Sequence, residues 1–126
     1  MRYLVLLEAT QPDTPPPAEL MTGIGQLGAN ATRAGVLLDN GGLAPSALGV
    51  KLTVTAGEIG MVDGPFAETK EMISYAIYDV RSRDEAVEWT NRFLRLHRDL
   101  WPGWEGEARV LKVFGPEDFP PGAADQ

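Results

Sequence analysis

One segment, residues 73–80, restricts the possible folds more than any other part of the chain. Its sequence, ISYAIYDV, has apolar or aromatic side chains at both alternating positions of a strand. A strand of this kind is buried on two sides, so it needs helices on one side and another cover on the other. The rest of the sequence predicts only two helices, which can cover one face of a sheet of four or five strands.

The two helices are predicted from apolar residues that recur at intervals of three or four positions. The first helix is expected over residues 18–34, and Gly35 after it is typical of a helix end. The second helix is expected to begin after Ser82, because Ser82 and Glu85 have the spacing of a capping box. Its apolar stripe continues to about residue 98.

The remaining apolar segments are predicted to be strands. They comprise residues 2–8, 36–38, 50–55, 59–62, 73–80 and a closing strand around Val110. Residues 39–42, DNGG, are typical of a turn or a bulge. The order β-α-β-β(β)-α-β predicts a ferredoxin-like α+β domain, with both helices on one face of an antiparallel sheet. A homodimer whose two sheets close face to face would cover the other face, and a monomer with a solvent-exposed sheet is the alternative.

Composition limits the classes of function. The 126 residues predict one domain over 1–114 with a C-terminal tail over 115–126. Cysteine is absent, which excludes disulfides, thiolate catalysis and cysteine-based zinc sites. The net charge of −7 argues against nucleic acid and anionic membranes as partners. The apolar run at the N-terminus is only five residues long, so a cytoplasmic protein without a signal peptide or membrane span is expected.

The charged residues that are the best candidates for catalysis or ligand binding follow the predicted hairpin. Asp63-Gly64-Pro65-Phe66 has the composition of a sharp turn, and Glu68 and Lys70 come directly after it. The segment VDGPFAETKE, residues 62–71, resembles the signature of the YCII-related family and its DGPF-motif branch. The resemblance extends over about residues 1–120. It implies a dimeric α+β barrel, which agrees with the burial argument.

Asp63, Glu68 and Lys70 are the candidate catalytic residues. A carboxylate beside a Lys can bind a polar ligand or, if burial raises its pKa, act as a base. The structural alternative is that Asp63 accepts backbone N–H bonds of its own turn, while Glu68 and Lys70 pair on the surface.

The candidate ligand-binding residues are Tyr75, Ser74 and Phe66. Tyr75 and Ser74 follow the motif on the two-sided strand, whereas Phe66 is interpreted either as a ligand platform or as a plug beside the turn. Some relatives rely on a His in the first helix, and this chain has none there. Its single His, His97, is interpreted as a solvated or capping residue near a helix end. The exposed-looking loop 101–104, WPGW, suggests a dimer contact or a lid.

Two functions stay open. The first is binding of a small polar metabolite, with or without proton-transfer or elimination chemistry on a small carbonyl or acid. The second is a non-enzymatic regulatory or interaction module, which the resemblance implies because some DGPF-type domains look associated with alternative sigma factors. No cofactor fingerprint or metal-ligand spacing occurs in the sequence, so neither a cofactor nor a metal is expected.

Overall fold

The structure, a computed structural model, describes residues 1–10, 14–66 and 70–119. Its helices are α1 (Ala18–Arg33) and α2 (Arg83–Leu100). Its strands are β1 (Arg2–Ala9), β2 (Leu37–Gly42), β3 (Val50–Thr55), β4 (Glu58–Asp63), β5 (Glu71–Asp79) and β6 (Gly106–Val113). Short 3₁₀ turns occur at Ser46–Leu48 and Pro116–Asp118.

Four strands form an antiparallel sheet in the order β2-β5-β1-β6. With α1 and α2 on one face, this order is that of a ferredoxin-like α+β fold, so the predicted fold class is confirmed. The side chains of β1 alternate, and those that face the helices are fully buried: Tyr3, Val5, Leu7 and Ala9. The core of the domain therefore lies between the sheet and the two helices.

The ends of both helices follow from local sequence. Gly35 adopts a φ of 75° directly after α1, a conformation that glycine tolerates best, as the sequence predicts. At the start of α2, the Ser82 hydroxyl accepts a hydrogen bond from the Glu85 backbone N–H at 3.1 Å. The Glu85 carboxylate accepts one from the backbone N–H of Arg81 at 3.0 Å. Both side chains of the predicted capping box thus accept backbone N–H groups at the start of the helix.

The prediction of a turn or bulge at residues 39–42 is only partly right. These residues belong to β2 and pair with β5, from Asp39 opposite Ile77 to Gly42 opposite Ser74. The bulge is present as a register shift between Leu37 and Asp39. Pairing with a long central strand overrides the local turn preference of this sequence, because each pair adds backbone hydrogen bonds that a solvent-exposed turn would lack.

Strands β3 and β4 form a separate two-stranded sheet, here called the hairpin, as predicted. Ala56 and Gly57 at its tip have φ values of 52° and 80°, which suit the tight turn of a two-residue loop. The sequence predicts one solvent-exposed face, but every hairpin residue is exposed. One of the two faces is apolar, and cross-strand register places these residues on it: Val50, Leu52, Val54, Ile59 and Met61.

The face of the main sheet opposite the helices, here called the open face, has an apolar centre with charged residues towards its edges. Alternation and register place Leu4, Leu6, Ile77 and Leu111 on it. Leu111 is exposed, and the other three are half-buried. Among the residues that the structure describes, no helix is long and apolar enough to cross a membrane.

Candidate functional site

A cavity of about 540 Å³ lies between the sheet and the two helices. Residues from both helices, three strands, the loop before α1 and the loop after α2 line it. They are Val5, Leu7, Thr14, Pro15, Pro16, Leu20, Met21, Ile24, Leu27, Gly28, Leu37, Asn40, Gly41, Gly42, Ile73, Ser74, Tyr75, Ala76, Tyr78, Thr90, Phe93, His97, Trp101 and Trp104. None of these described residues is an Asp, Glu, Lys or Arg. The cavity therefore has the mainly apolar lining, with a few polar groups, that is typical of small-molecule sites.

Among the lining residues, His97 has the side chain best suited to acid–base chemistry or to hydrogen bonding with a ligand. Its side chain is only 5% exposed, so the interpretation of His97 as a solvated residue is wrong. Its Nδ1 lies 2.9 Å from the Phe93 carbonyl oxygen. Because a carbonyl can only accept, this hydrogen bond requires a proton on Nδ1. Burial lowers the pKa of His97 below its ordinary value, with a smaller opposing effect of the Phe93 hydrogen bond. The favoured form is a neutral ring with an unprotonated Nε2.

Thr90 lies two turns before His97 on the same face of α2. Its side chain is buried, and its hydroxyl donates to the Ala86 carbonyl at 2.8 Å. The hydroxyl proton is therefore already used within the helix, and only the oxygen lone pairs are left for another group. Thr90 and His97, the two polar side chains that α2 contributes to the cavity wall, can therefore each accept a hydrogen bond from a ligand.

Three aromatic side chains form, together with His97, what is here called the aromatic end of the cavity: Phe93, Trp101 and Trp104. The ring centroids of Phe93 and Trp104 lie 4.7 Å and 4.6 Å from that of His97. Trp101 stacks on Trp104 at 6.5 Å. The loop 101–104 therefore packs its half-buried rings against α2 and the cavity. The expectation that this loop forms a dimer contact or a lid stays a prediction.

The predicted ligand-binding residues Ser74 and Tyr75 both border the cavity. Their side chains point to opposite faces of β5, because side chains alternate along a strand. Ser74 is the cross-strand partner of buried Leu7. Because directly paired residues point to the same face of a sheet, Ser74 faces the helices. The Tyr75 hydroxyl donates to Asp39 Oδ2 at 3.2 Å, and its ring lies over Gly41. The hydrogen bond to Asp39 raises the pKa of Tyr75.

Asp63 and Phe66 lie at the base of the hairpin and do not line the cavity. Asp63 is exposed, and within the described residues its carboxylate has no hydrogen-bond or ion-pair partner. The predicted bonds from Asp63 to its own turn are thus not formed there. Phe66 is half-buried, with Lys51 Nζ 5.3 Å from its ring centroid. Its backbone N–H donates to Ser46 Oγ at 3.4 Å, so it packs beside the turn.

Lys70 also lies away from the cavity lining. Its Nζ is 2.9 Å from Glu107 Oε1 on β6, in an exposed ion pair. This hydrogen bond lowers the pKa of Glu107. Exposed pairs of this kind contribute about 0–1 kcal/mol to stability. The third candidate catalytic residue, Glu68, lies outside the described residues, so the structure brings none of the described catalytic candidates to the cavity.

The comparison with known protein families identifies the family. The YCII-related domain matches residues 1–94 of the 126-residue chain, which include β1 to β5, α1 and most of α2. The chain belongs to the YCII-related family. A relative, an uncharacterised protein of Rhizobium meliloti (strain 1021), is 32% identical over 79 residues, which are 62% of this chain and 61% of the relative. The chain thus spans about three fifths of the length of this curated relative.

The YCII-related match stops inside α2, before most of the aromatic end. His97, Trp101 and Trp104 follow residue 94, whereas the sheet and α1 walls of the cavity lie within the match. The resemblance that the sequence suggests over about residues 1–120 thus extends further than the family match. The signal that could have found this end of the cavity is the apolar stripe of α2, in which Thr90 and His97 are polar residues at core-facing positions.

Proposed function

We propose that this YCII-related protein binds a small, largely apolar molecule in the cavity between the sheet and the helices. The observation that carries the proposal is the lining: about 540 Å³ of space bordered by aliphatic and aromatic side chains, with few polar groups. This lining favours a more apolar ligand than the polar metabolite that the sequence suggests. Burial of apolar ligand surface would supply about 25 cal/mol per Å² before the costs of binding.

If the protein is an enzyme, the proposal also places the reaction in the cavity and not at the motif turn. Proton transfer or elimination on a bound carbonyl compound needs a base within about 3 Å of the proton that it removes. Asp63 and Lys70 lie outside the cavity lining, whereas the unprotonated Nε2 of His97 belongs to a residue that lines it. If the bound molecule is turned over in the cavity, His97 is the base that the geometry favours. Binding alone is the simpler function and needs no base.

The test is a titration with N-phenyl-1-naphthylamine, a neutral dye whose fluorescence rises in apolar sites. Ala76 lines the cavity, so we expect Ala76→Leu to fill part of it and weaken dye binding at least tenfold. Ala29→Leu is the matched control, because Ala29 is exposed on α1 and does not line the cavity. Equal binding by both variants and the wild type would assign the dye to another surface and contradict the proposal.

A homodimer is the second part of the proposal. The open face and the apolar face of the hairpin leave Leu111, Leu52, Ile59 and Met61 exposed in the single chain. Soluble proteins rarely expose apolar surface of this extent without a partner. A second copy of the chain would cover the open face by pairing the two sheets, as the resemblance implies. Light scattering at micromolar concentration should then give twice the chain mass of 13.7 kDa.

Membership in the DGPF-motif branch is also proposed, on the basis of Asp63-Gly64-Pro65-Phe66. It would support the alternative function, a regulatory or interaction module. The observation that favours this alternative is the exposed apolar hairpin, which ends directly at the motif. Dye binding that depends on Leu52 and Ile59 and not on Ala76 would favour this second function over the cavity.

A further inference from the structure

We propose that His97 Nε2 anchors the ligand, so that the cavity selects neutral molecules with an apolar body and an O–H or N–H donor. This inference rests on the proposed binding in the cavity and adds the chemical class of the ligand. Phenols, indoles and alcohols of suitable size belong to this class. Anions and pure hydrocarbons do not.

The first argument is the accessibility of Nε2. The other ring nitrogen, Nδ1, is held by the Phe93 carbonyl, and within the described residues Nε2 has no hydrogen-bond partner. No buried side-chain nitrogen or oxygen in that part of the chain lacks a partner. Nε2 is therefore not sealed in the core, and it is open to the cavity that His97 lines. An unprotonated imidazole nitrogen there can only accept a hydrogen bond.

The second argument is that α2 offers no donor to the cavity. The protons of Thr90 Oγ1 and His97 Nδ1 are both committed to carbonyls of the preceding turn, at 2.8 Å and 2.9 Å. A ligand that contacts this wall must donate in order to gain a hydrogen bond. On the other walls, the side chains of Thr14, Asn40, Ser74 and Tyr78 can donate or accept, and the indole N–H groups of Trp101 and Trp104 can only donate. The preference for a donor ligand therefore belongs to the α2 wall.

The third argument concerns charge. The described lining contains no Lys or Arg that could neutralise a carboxylate or phosphate, and the chain has a net charge of −7. A buried anion without a partner loses far more hydration free energy than the apolar lining returns. Molecules that are anionic at neutral pH are thus excluded from the class.

Indole and indene form a matched pair of probes, because they have nearly the same shape and differ in the N–H donor. Both are small relative to a cavity of about 540 Å³. Their affinities are measured by displacement of N-phenyl-1-naphthylamine. We expect the wild type to bind indole about three- to tenfold more tightly than indene, which is the usual size of one net hydrogen bond.

The variant His97→Phe keeps an aromatic ring and removes the acceptor. We expect it to bind indole and indene with equal affinity. The control Asn91→Phe introduces the same side chain at an exposed position of α2 that does not line the cavity, and it should keep the wild-type preference. Equal affinities in the wild type, or a preference that survives His97→Phe, would overturn the assignment of His97. If neither the dye nor either compound binds the wild type, the proposed cavity function itself has failed. This result differs from equal binding of indole and indene, which contradicts only the role of His97.

A second measurement does not depend on a variant that must fold. The chain has a single His, so its imidazole ¹⁵N signals are unambiguous. We expect the resonance of the unprotonated Nε2 to shift when indole is added and to stay in place with indene. A Nε2 signal that responds equally to both compounds would contradict a hydrogen bond from the ligand.

Discussion

The cavity and the base of the hairpin differ in shape and in polarity. The cavity is concave and mainly apolar, whereas the base of the hairpin is exposed and carries charged residues. The base of the hairpin carries the motif, which includes Asp63 and Phe66, and Lys70 after it forms an ion pair. The strands of the hairpin are exposed on both faces. The cavity lies in the core and has only a few polar groups, of which Thr90 and His97 are buried. Charged residues that are close in sequence therefore need not make a site. Concavity and burial make one, because they remove water and strengthen each polar contact.

The largest expected effect contrasts one leucine from each region. Leu20 is 1% exposed and Leu52 is 65% exposed. We expect Leu20→Ala to lower the free energy of unfolding by about 2–5 kcal/mol, because it removes buried methyl groups and enlarges the cavity. Leu52→Ala should cost less than about 0.5 kcal/mol in the monomer. Urea unfolding at low protein concentration measures both variants, and equal losses would contradict the contrast between the two regions.

The second effect concerns self-association through the hairpin. Ile59 lies on the apolar hairpin face and is 77% exposed in the single chain, whereas Thr53 lies on the other face. We expect Ile59→Lys to weaken the proposed dimer at least tenfold, or about 1.4 kcal/mol, since a buried unpaired charge is unfavourable. Thr53→Lys adds the same charge as a control. Light scattering over a dilution series compares them, and a dimer unaffected by Ile59→Lys would exclude this face from the interface.

The third prediction compares the contributions of Asp63 and Ser46 to stability. The Ser46 hydroxyl donates to Glu71 Oε1 at 2.7 Å and accepts from the Phe66 backbone N–H. We expect Ser46→Ala to cost about 1 kcal/mol of stability, because one hydrogen bond to β5 and one to the turn after β4 are lost. Asp63→Ala should change stability by less than about 0.5 kcal/mol, since its carboxylate is exposed. Thermal melts decide this, and a larger loss with Asp63→Ala would restore a structural role for that residue.

The smallest effect is a pH dependence that belongs to the cavity alone. Burial lowers the pKa of His97 in the folded state, so the unfolded chain binds more protons just below the ordinary His value of about 6.5. The stabilisation from neutral His97 is complete above that pH and is lost as pH falls towards the folded-state pKa. We expect the wild type to lose more stability than His97→Phe between pH 7.5 and pH 5. Parallel curves for the two proteins would show that His97 is protonated equally well in both states.

Much of the fold could be predicted from the sequence, because its signals are local or periodic. The stripe of α1, Gly35, and the Ser82 cap were read correctly, and the order of the elements predicted the ferredoxin-like sheet. Residues 39–42 were not assigned to a strand, because their turn preference is overridden by pairing with β5, a contact between distant segments.

The candidate site was predictable only in part. Ser74 and Tyr75 border the cavity, although the pleat turns the Tyr75 ring towards Asp39 on the open face. Asp63 and Lys70 were favoured because charged residues near a turn are conspicuous in a sequence. His97 was interpreted as a solvated or capping residue because it lies near a helix end, and Thr90 was considered only as a member of the apolar stripe of α2, whereas both are buried at the cavity.

By itself, the sequence determined the elements, their order and the family, since capping, turn chemistry and hydrophobic periodicity act over a few residues. Only the tertiary structure decided which residues share the cavity. The packing of α2 and the loop after it brings His97 and Trp104 against walls built from β5 and α1. These contacts join segments far apart in the chain. No local pattern specifies them, because they arise when two helices pack on one sheet and leave a space between them.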